Sequence, residues 1–257
     1  MSGHPPSAAL VERQLVDVPG GHLSLVLHLP DVSHPVPCVV ACHGLGASKD
    51  SDKYVLLGAE LPAAGLALAR FDFRGCGESS GREEDTTIAS RIEDVEEVLG
   101  RLARHPRLTG PFGLLGSSLG GFVALHVAAR ASREGKSIAA LVTWNAPSDL
   151  HELGHDERRD SPGLGVPFFL ELATHERDAT PAGVARHLVV HGDADDVVAV
   201  DHGTALHARA GDPCELVIIP GAVHRLSDPG HRREALAVSL AWFHKYLTPR
   251  PGTGDAS

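Results

Sequence analysis

The sequence predicts an α/β domain: a mainly parallel, doubly wound sheet with a short cap insertion. Three observations carry that expectation. Short apolar runs of strand length alternate with longer segments of helical period, as strands joined by crossover helices do. Most of those runs are continuously apolar, which is how strands covered on both faces read. A proline-rich stretch, residues 146–186, breaks the rhythm between two such runs, as an excursion from the sheet would. At 257 residues, with no break in composition, the chain is long enough for one large core, so a single domain over residues 1–247 is expected.

Taken in order, His22–Leu29 alternates and reads as an antiparallel edge strand, while Cys38–Cys42 and Leu66–Phe73 read as buried strands. Ile88, Ile92, Val95, Val98, Leu99 and Leu102 then follow helical spacing, with Glu93, Asp94, Glu96 and Glu97 off the stripe. That pattern predicts an amphipathic helix with a solvated acidic face. Phe112–Leu115 is the next strand, followed by a helical stretch over Gly121–Ala129, and Ala139–Trp144, His187–His191 and Glu215–Ile219 complete the sheet. Between the last three, Pro147, Pro162, Pro167 and Pro181 flank short apolar pieces such as Val166–Leu172, which suits a small cap or lid over 146–186. The segment 248–257 holds two prolines, two glycines and almost nothing apolar, and is expected to be a disordered tail.

Composition removes several function classes. A formal charge of −10 and the lack of a basic cluster argue against nucleic acid, whose phosphates need a concentrated positive surface. Residues 1–9 are polar, without a cationic segment leading into an apolar run, so no secretory signal is expected. No stretch reaches the 18 or so apolar residues of a membrane span, and a cytoplasmic protein follows as the expectation. Cys38, Cys42, Cys76 and Cys214 form no C-x-x-C and read as reduced, buried apolar side chains. Neither a cofactor nor a metal is expected.

The chemistry concentrates at Gly116-Ser117-Ser118-Leu119-Gly120, a G-x-S-x-G pattern between a strand and a helix. A serine hydroxyl is a poor nucleophile unless it is lifted from the sheet beside a base, and small residues two before and two after it permit the sharp turn this needs. The pattern centres on Ser118; centring on Ser117 would require glycines at 115 and 119, where leucines stand. Capping alone could explain a serine at a helix start, but not the paired glycines. Such a serine needs a base, a group that orients the base, and donors for an oxyanion. Candidates for all three follow strands: His43-Gly44-Leu45-Gly46, His191-Gly192-Asp193-Ala194-Asp195-Asp196, and Pro220-Gly221-Ala222-Val223-His224. In an open parallel sheet, sites form beyond the carboxyl ends of the strands.

Residues 20–247 resemble the α/β-hydrolase superfamily. The resemblance rests on the elbow at 116–120, the acid loop His191-Gly192-x-x-Asp195, the histidine loop Pro220-Gly221-Ala222-x-His224 and the oxyanion turn at 43–46. Asp72-Phe73-Arg74-Gly75-Cys76-Gly77-Glu78-Ser79 adds a D-x-R-G-x-G-x-S segment, and the order Ser, Asp, His is the family's. The resemblance implies that Ser118 attacks a carbonyl, His224 moves its proton, and Asp195 holds the imidazolium. It assigns oxyanion donation to the backbone N–H groups of Leu45 and Leu119. Ala199 stands where the acid loop commonly has proline, and Val223 where glycine or aspartate commonly precedes the histidine. Asp193, Asp196 and Asp149 are rival acids.

The implied reaction is hydrolysis of small soluble carboxylic esters, as in esterases of the feruloyl esterase and serine aminopeptidase type, with amides, thioesters and lactones sharing the same constellation. One rival motif is His151-Glu152-Leu153-Gly154-His155, a literal H-E-x-x-H that would bind zinc on a helix. Pro147, Pro162 and Gly154 disfavour that helix. A third reading is a non-catalytic binding protein on the same fold. Arg74 is expected to serve structure rather than substrate.

Overall fold

Eight strands form one sheet in the order β1-β2-β4-β3-β5-β6-β7-β8, in a computed structural model that describes residues 10–136, 138–151 and 163–248. The strands are β1 (Leu10–Val18), β2 (Gly21–Leu29), β3 (Val36–Cys42), β4 (Ala67–Phe71), β5 (Leu108–Ser117), β6 (Ile138–Trp144), β7 (His187–Gly192) and β8 (Cys214–Ile219). The helices between them are α1 (Asp52–Ala63), α2 (Ile88–Leu102), α3 (Leu119–Arg133), α4 (Val166–Leu172), α5 (Val200–Arg209) and α6 (Pro229–Leu247). From β4 to β8 the sheet is parallel, whereas β1 pairs antiparallel with β2, and β2 with β4. This is a mainly parallel, doubly wound α/β sheet.

The alternation along β3 shows why its run is continuously apolar. Cys38, Val40 and Cys42 enter a core layer with α2, α3 and α4 residues such as Val95, Phe122 and Phe168. Val39 and Ala41 enter the opposite layer with Tyr54 and Leu57 of α1 and Trp242 and Phe243 of α6. Both faces are covered, so neither can be polar.

Two expectations need correction. His22–Leu29 is antiparallel but lies second in the sheet; Leu10–Val18 is the edge. That strand escapes a hydrophobic pattern because only one of its faces is covered: Val16 is buried, while Val11, Arg13, Leu15 and Asp17 are exposed. The acidic face of α2 is not wholly solvated either. Asp94 is fully buried and accepts from the Arg74 backbone N–H at 2.9 Å and from its Nε at 2.7 Å.

The segment between β6 and β7, where a cap is expected, is partly described. Its base is pinched by a bridge between Asp149 and Ala179, with Leu150 N–H donating to Asp178 O at 2.7 Å and Thr180 N–H to Ser148 O at 2.8 Å. Within it, α4 is fastened to α2: the Glu171 carboxylate accepts from Ile88 N–H at 2.5 Å and Ala89 N–H at 3.0 Å. An acidic group there satisfies amides that a helix start leaves without intrahelical acceptors, and it complements the helix dipole. The rest of the expected cap, 152–162, and residues 249–257 of the expected tail lie outside the described residues. Among the described residues no helix is long and apolar enough to cross a membrane.

Candidate active site

Ser118 sits between β5 and α3 with φ 53° and ψ −129°, a left-handed conformation that a side chain adopts only when its surroundings impose it. They do so here by close packing. A Cβ on Gly116 would lie 2.4 Å from Gly120 O, and one on Gly120 would lie 2.2 Å from Cys42 O. The chain can therefore turn only with glycine at both positions. The Ser118 hydroxyl makes no cap bond to α3, so the capping explanation fails. Instead its Oγ lies 3.0 Å from His224 Nε2.

His224 is brought there by the loop after β8, and its Nδ1 faces Asp195, 2.8 Å from Oδ2 and 3.1 Å from Oδ1. Asp195 follows β7. Its Oδ1 also accepts from Val197 N–H at 2.9 Å and Val198 N–H at 2.8 Å. Burial alone would push this carboxyl upward, but the His224 bond and the two amides outweigh it and hold it below the usual carboxylate range. A carboxylate fixed on Nδ1 requires Nδ1–H, leaving Nε2 bare toward the serine. The rival acids go elsewhere. Asp193 accepts from Gly221 N–H at 2.6 Å, tying the two loops together. Asp196 is exposed, and Asp149 lies at the base of the β6–β7 segment, bridged to Ala179 and accepting from Ser148 Oγ at 2.9 Å.

Asn145, just past β6, is a brace that sequence reading overlooked. Its φ is 49°; Nδ2 donates to His224 O at 2.8 Å and Val223 O at 3.2 Å, while Oδ1 accepts from Gly192 N–H at 2.9 Å. One side chain thus holds the histidine loop against the end of β7. The only available signal was an asparagine at a strand end, a residue that tolerates left-handed backbone.

The turn after β3 lies against the elbow: a Cβ on Gly44 would come within 3.0 Å of Ser118 Cβ. His43 fixes this turn. Phe73 N–H donates to its Nε2 at 3.1 Å, so the proton resides on Nδ1, which donates to Gly44 O at 2.8 Å. Burial pushes His43 down to about 4, chiefly by desolvation, so it is a neutral support. Leu45 follows directly in this turn, and Leu119 is the first residue of α3, where backbone N–H groups have no intrahelical acceptor.

Other candidates have structural partners. Arg74 pairs with Asp94; burial nevertheless keeps that carboxyl above its ordinary range. Lys49, fully buried, donates to Asp72 and Glu78 at 2.7 Å each and stiffens the 72–79 segment. His151 lies 3.1 Å from Asp178, whereas Glu152 and His155 of the H-E-x-x-H lie outside the described residues. Among the described residues no cluster could hold a metal ion. The four thiols are free, and burial raises all of them, Cys42 and Cys76 to about 12 and Cys214 to about 11.

Residues 33–154 match the serine aminopeptidase S33 family and residues 169–250 the prolyl oligopeptidase family. Est1E of Butyrivibrio proteoclasticus, solved with ferulic acid bound, superposes with a TM-score of 0.76 at 22% identity, covering 91% of this chain and 99% of that one. The mouse alpha/beta hydrolase domain-containing protein 10 gives 0.74 at 19% identity, with coverage of 91% and 99%. A human protein named palmitoyl-protein thioesterase ABHD10 is 36% identical over 86 residues, 34% of this chain and 26% of its own length. A Mycobacterium tuberculosis relative that carries a phosphoribosyl transferase name, Rv0571c, is 27% identical over 90% of this chain, and the chain spans only 46% of that relative's length.

Proposed function

We propose that this chain, which has the α/β-hydrolase fold and matches the serine aminopeptidase S33 and prolyl oligopeptidase families over 33–154 and 169–250, hydrolyses carboxylic esters of small soluble substrates through an acyl-enzyme. The observation that carries this reading is the continuous relay from Ser118 Oγ through His224 to Asp195, at 3.0 and 2.8 Å.

In the proposed reaction, His224 Nε2 takes the Ser118 proton as Oγ attacks the ester carbonyl. The tetrahedral oxyanion accepts from the backbone N–H groups of Leu45 and Leu119, and Asp195 stabilises the imidazolium. His224 then returns the proton to the leaving alcohol, and the acyl group stays on Ser118. Water, deprotonated by the same imidazole, attacks the acyl-serine, and collapse of the second tetrahedral species releases the acid and restores the hydroxyl. Val197 and Val223, exposed neighbours of the acid and the base, offer apolar surface for an acyl or aryl group. The transferase name attaches to a protein about twice this length, of which this chain spans 46%, so it gives no support to transferase chemistry at this site.

A thioesterase on the same residues is the second reading, favoured by the ABHD10 likeness; a serine peptidase or amidase is the third. A fluorophosphonate probe should label the wild type, fail on Ser118→Ala, and be indifferent to EDTA. Absence of labelling in folded wild type would overturn the serine mechanism. EDTA-sensitive activity lost in Glu152→Ala would move the assignment to zinc. p-Nitrophenyl esters of increasing chain length, assayed beside acyl thioesters and aminoacyl amides, separate the three serine readings.

A further inference from the structure

The outer strand of the sheet carries a pattern that the proposed chemistry does not use. Among the described strands β1 pairs only with β2, and its alternate residues Val11, Arg13, Leu15 and Asp17 are all exposed. Val11 is 47% and Leu15 61% accessible, unusual for an edge, where apolar side chains invite pairing with another chain. The β1–β2 hairpin closes at Val18 and Gly21 around Pro19-Gly20. A two-residue turn makes that closing pair hydrogen-bonded, so even-numbered residues of β1 direct their N–H and C=O toward β2 and odd-numbered residues direct theirs outward. The same four residues therefore present the open backbone groups. Among the described residues neither Arg13 nor Asp17 has an ion-pair partner within the chain.

We propose that β1 is a homodimer interface, in which two copies pair antiparallel about a two-fold axis at Leu15 and continue the sheet from one subunit into the next. The charges select the occupant and the register. Antiparallel pairing about residue 15 sets each residue opposite the one whose number makes a sum of thirty. Arg13 then faces Asp17 of the second copy, Asp17 faces its Arg13, and Leu15 meets Leu15. An axis at Arg13 would oppose two guanidinium groups, and one at Gln14 would set Arg13 against Leu15 and Asp17 against Val11. Only the register at Leu15 satisfies both charges and buries the exposed leucine, as a self-complementary two-fold contact must.

Light scattering after size exclusion and sedimentation velocity, on the full chain over about 1–100 µM, test this. The wild type should be dimeric at the upper end. Asp17→Arg and Arg13→Asp each place like charges face to face and should weaken dimerisation about tenfold or more. The double variant Arg13→Asp/Asp17→Arg restores opposite charges and should restore the dimer, and Leu15→Lys should abolish it. Circular dichroism and thermal melting establish that each variant is folded. A wild type that stays monomeric overturns the proposal, and its dimerisation on deletion of residues 1–9 would assign the edge to that segment instead. A dimer indifferent to the single changes, or a folded double variant that stays monomeric, also overturns it.

Discussion

The ammonium of Lys53 donates to the hydroxyl of Ser117 at 2.7 Å, immediately beside the proposed nucleophile in sequence. Burial, then the charges of Arg225 and Arg232, lower Lys53 from an ordinary 10.5 to about 8. The folded chain therefore holds this proton less tightly than the unfolded chain. Below pH 8 the charge opposes folding; as pH rises from 8 toward 10.5 the folded state sheds it first and gains stability. Lys53→Met should accordingly melt higher than wild type at pH 7, by about 2–4 °C for each kcal/mol relieved, with the difference shrinking toward pH 10. An equal or lower melting temperature at pH 7 would show that the bond to Ser117 outweighs the buried charge.

Asp195→Asn keeps the shape of the acid but cannot hold Nδ1–H of His224 in the same sense. Its kcat on a p-nitrophenyl ester should fall on the order of 10⁴-fold, while circular dichroism stays unchanged. Wild-type turnover would remove Asp195 from the mechanism and direct attention to the remaining acids.

Asn145→Asp discriminates the brace from simple packing. The acceptor to Gly192 N–H survives, but both donations to the Val223 and His224 carbonyls become repulsions. Expected are a stability loss of about 2–3 kcal/mol and a drop in kcat larger than the rise in KM, read from denaturant melts and steady-state kinetics. Unaltered kcat with lowered stability would restrict Asn145 to packing.

Acid should unfold this protein early. Burial is the leading cause that lowers His28, His43 and His126 from an ordinary 6.5 to about 4, and His187 to about 3. Between pH 6.5 and 4 the unfolded chain binds protons that the folded chain refuses, so stability falls as pH falls through that window. Each histidine contributes a slope of up to about 1.4 kcal/mol per pH unit. Urea midpoints measured from pH 7 to pH 4.5 should decline steeply, and His187→Gln should flatten part of the decline. A flat series would contradict the buried neutral imidazoles.

The parallel strands were legible because covering both faces forces unbroken apolar runs, and the loops holding Ser118, Asp195 and His224 were legible because each follows such a run. Other parts act through groups that carry no local pattern. Leu10–Val18 mixes Arg13 and Asp17 with its apolar residues because the face that carries them meets water, and half-buried Glu12 and Gln14 interrupt the other face. Asp94 looked solvated on its helix; the Arg74 that buries it lies 20 residues upstream. Asn145 works on main-chain carbonyls 78 and 79 residues away, and Lys53, on a helix, resembles any surface lysine until Ser117 is placed beside it.

Glu171 ties the segment between β6 and β7 to the start of α2 in a way that bears on engineering. Because its carboxylate supplies the acceptors for the opening amides of α2, the insertion is a foundation stone of a helix whose side chains line the main core. Replacing or shortening the segment that holds Glu171 would leave the Ile88 and Ala89 amides without that acceptor, while the Thr87–Ser90 capping box at the same helix start would remain.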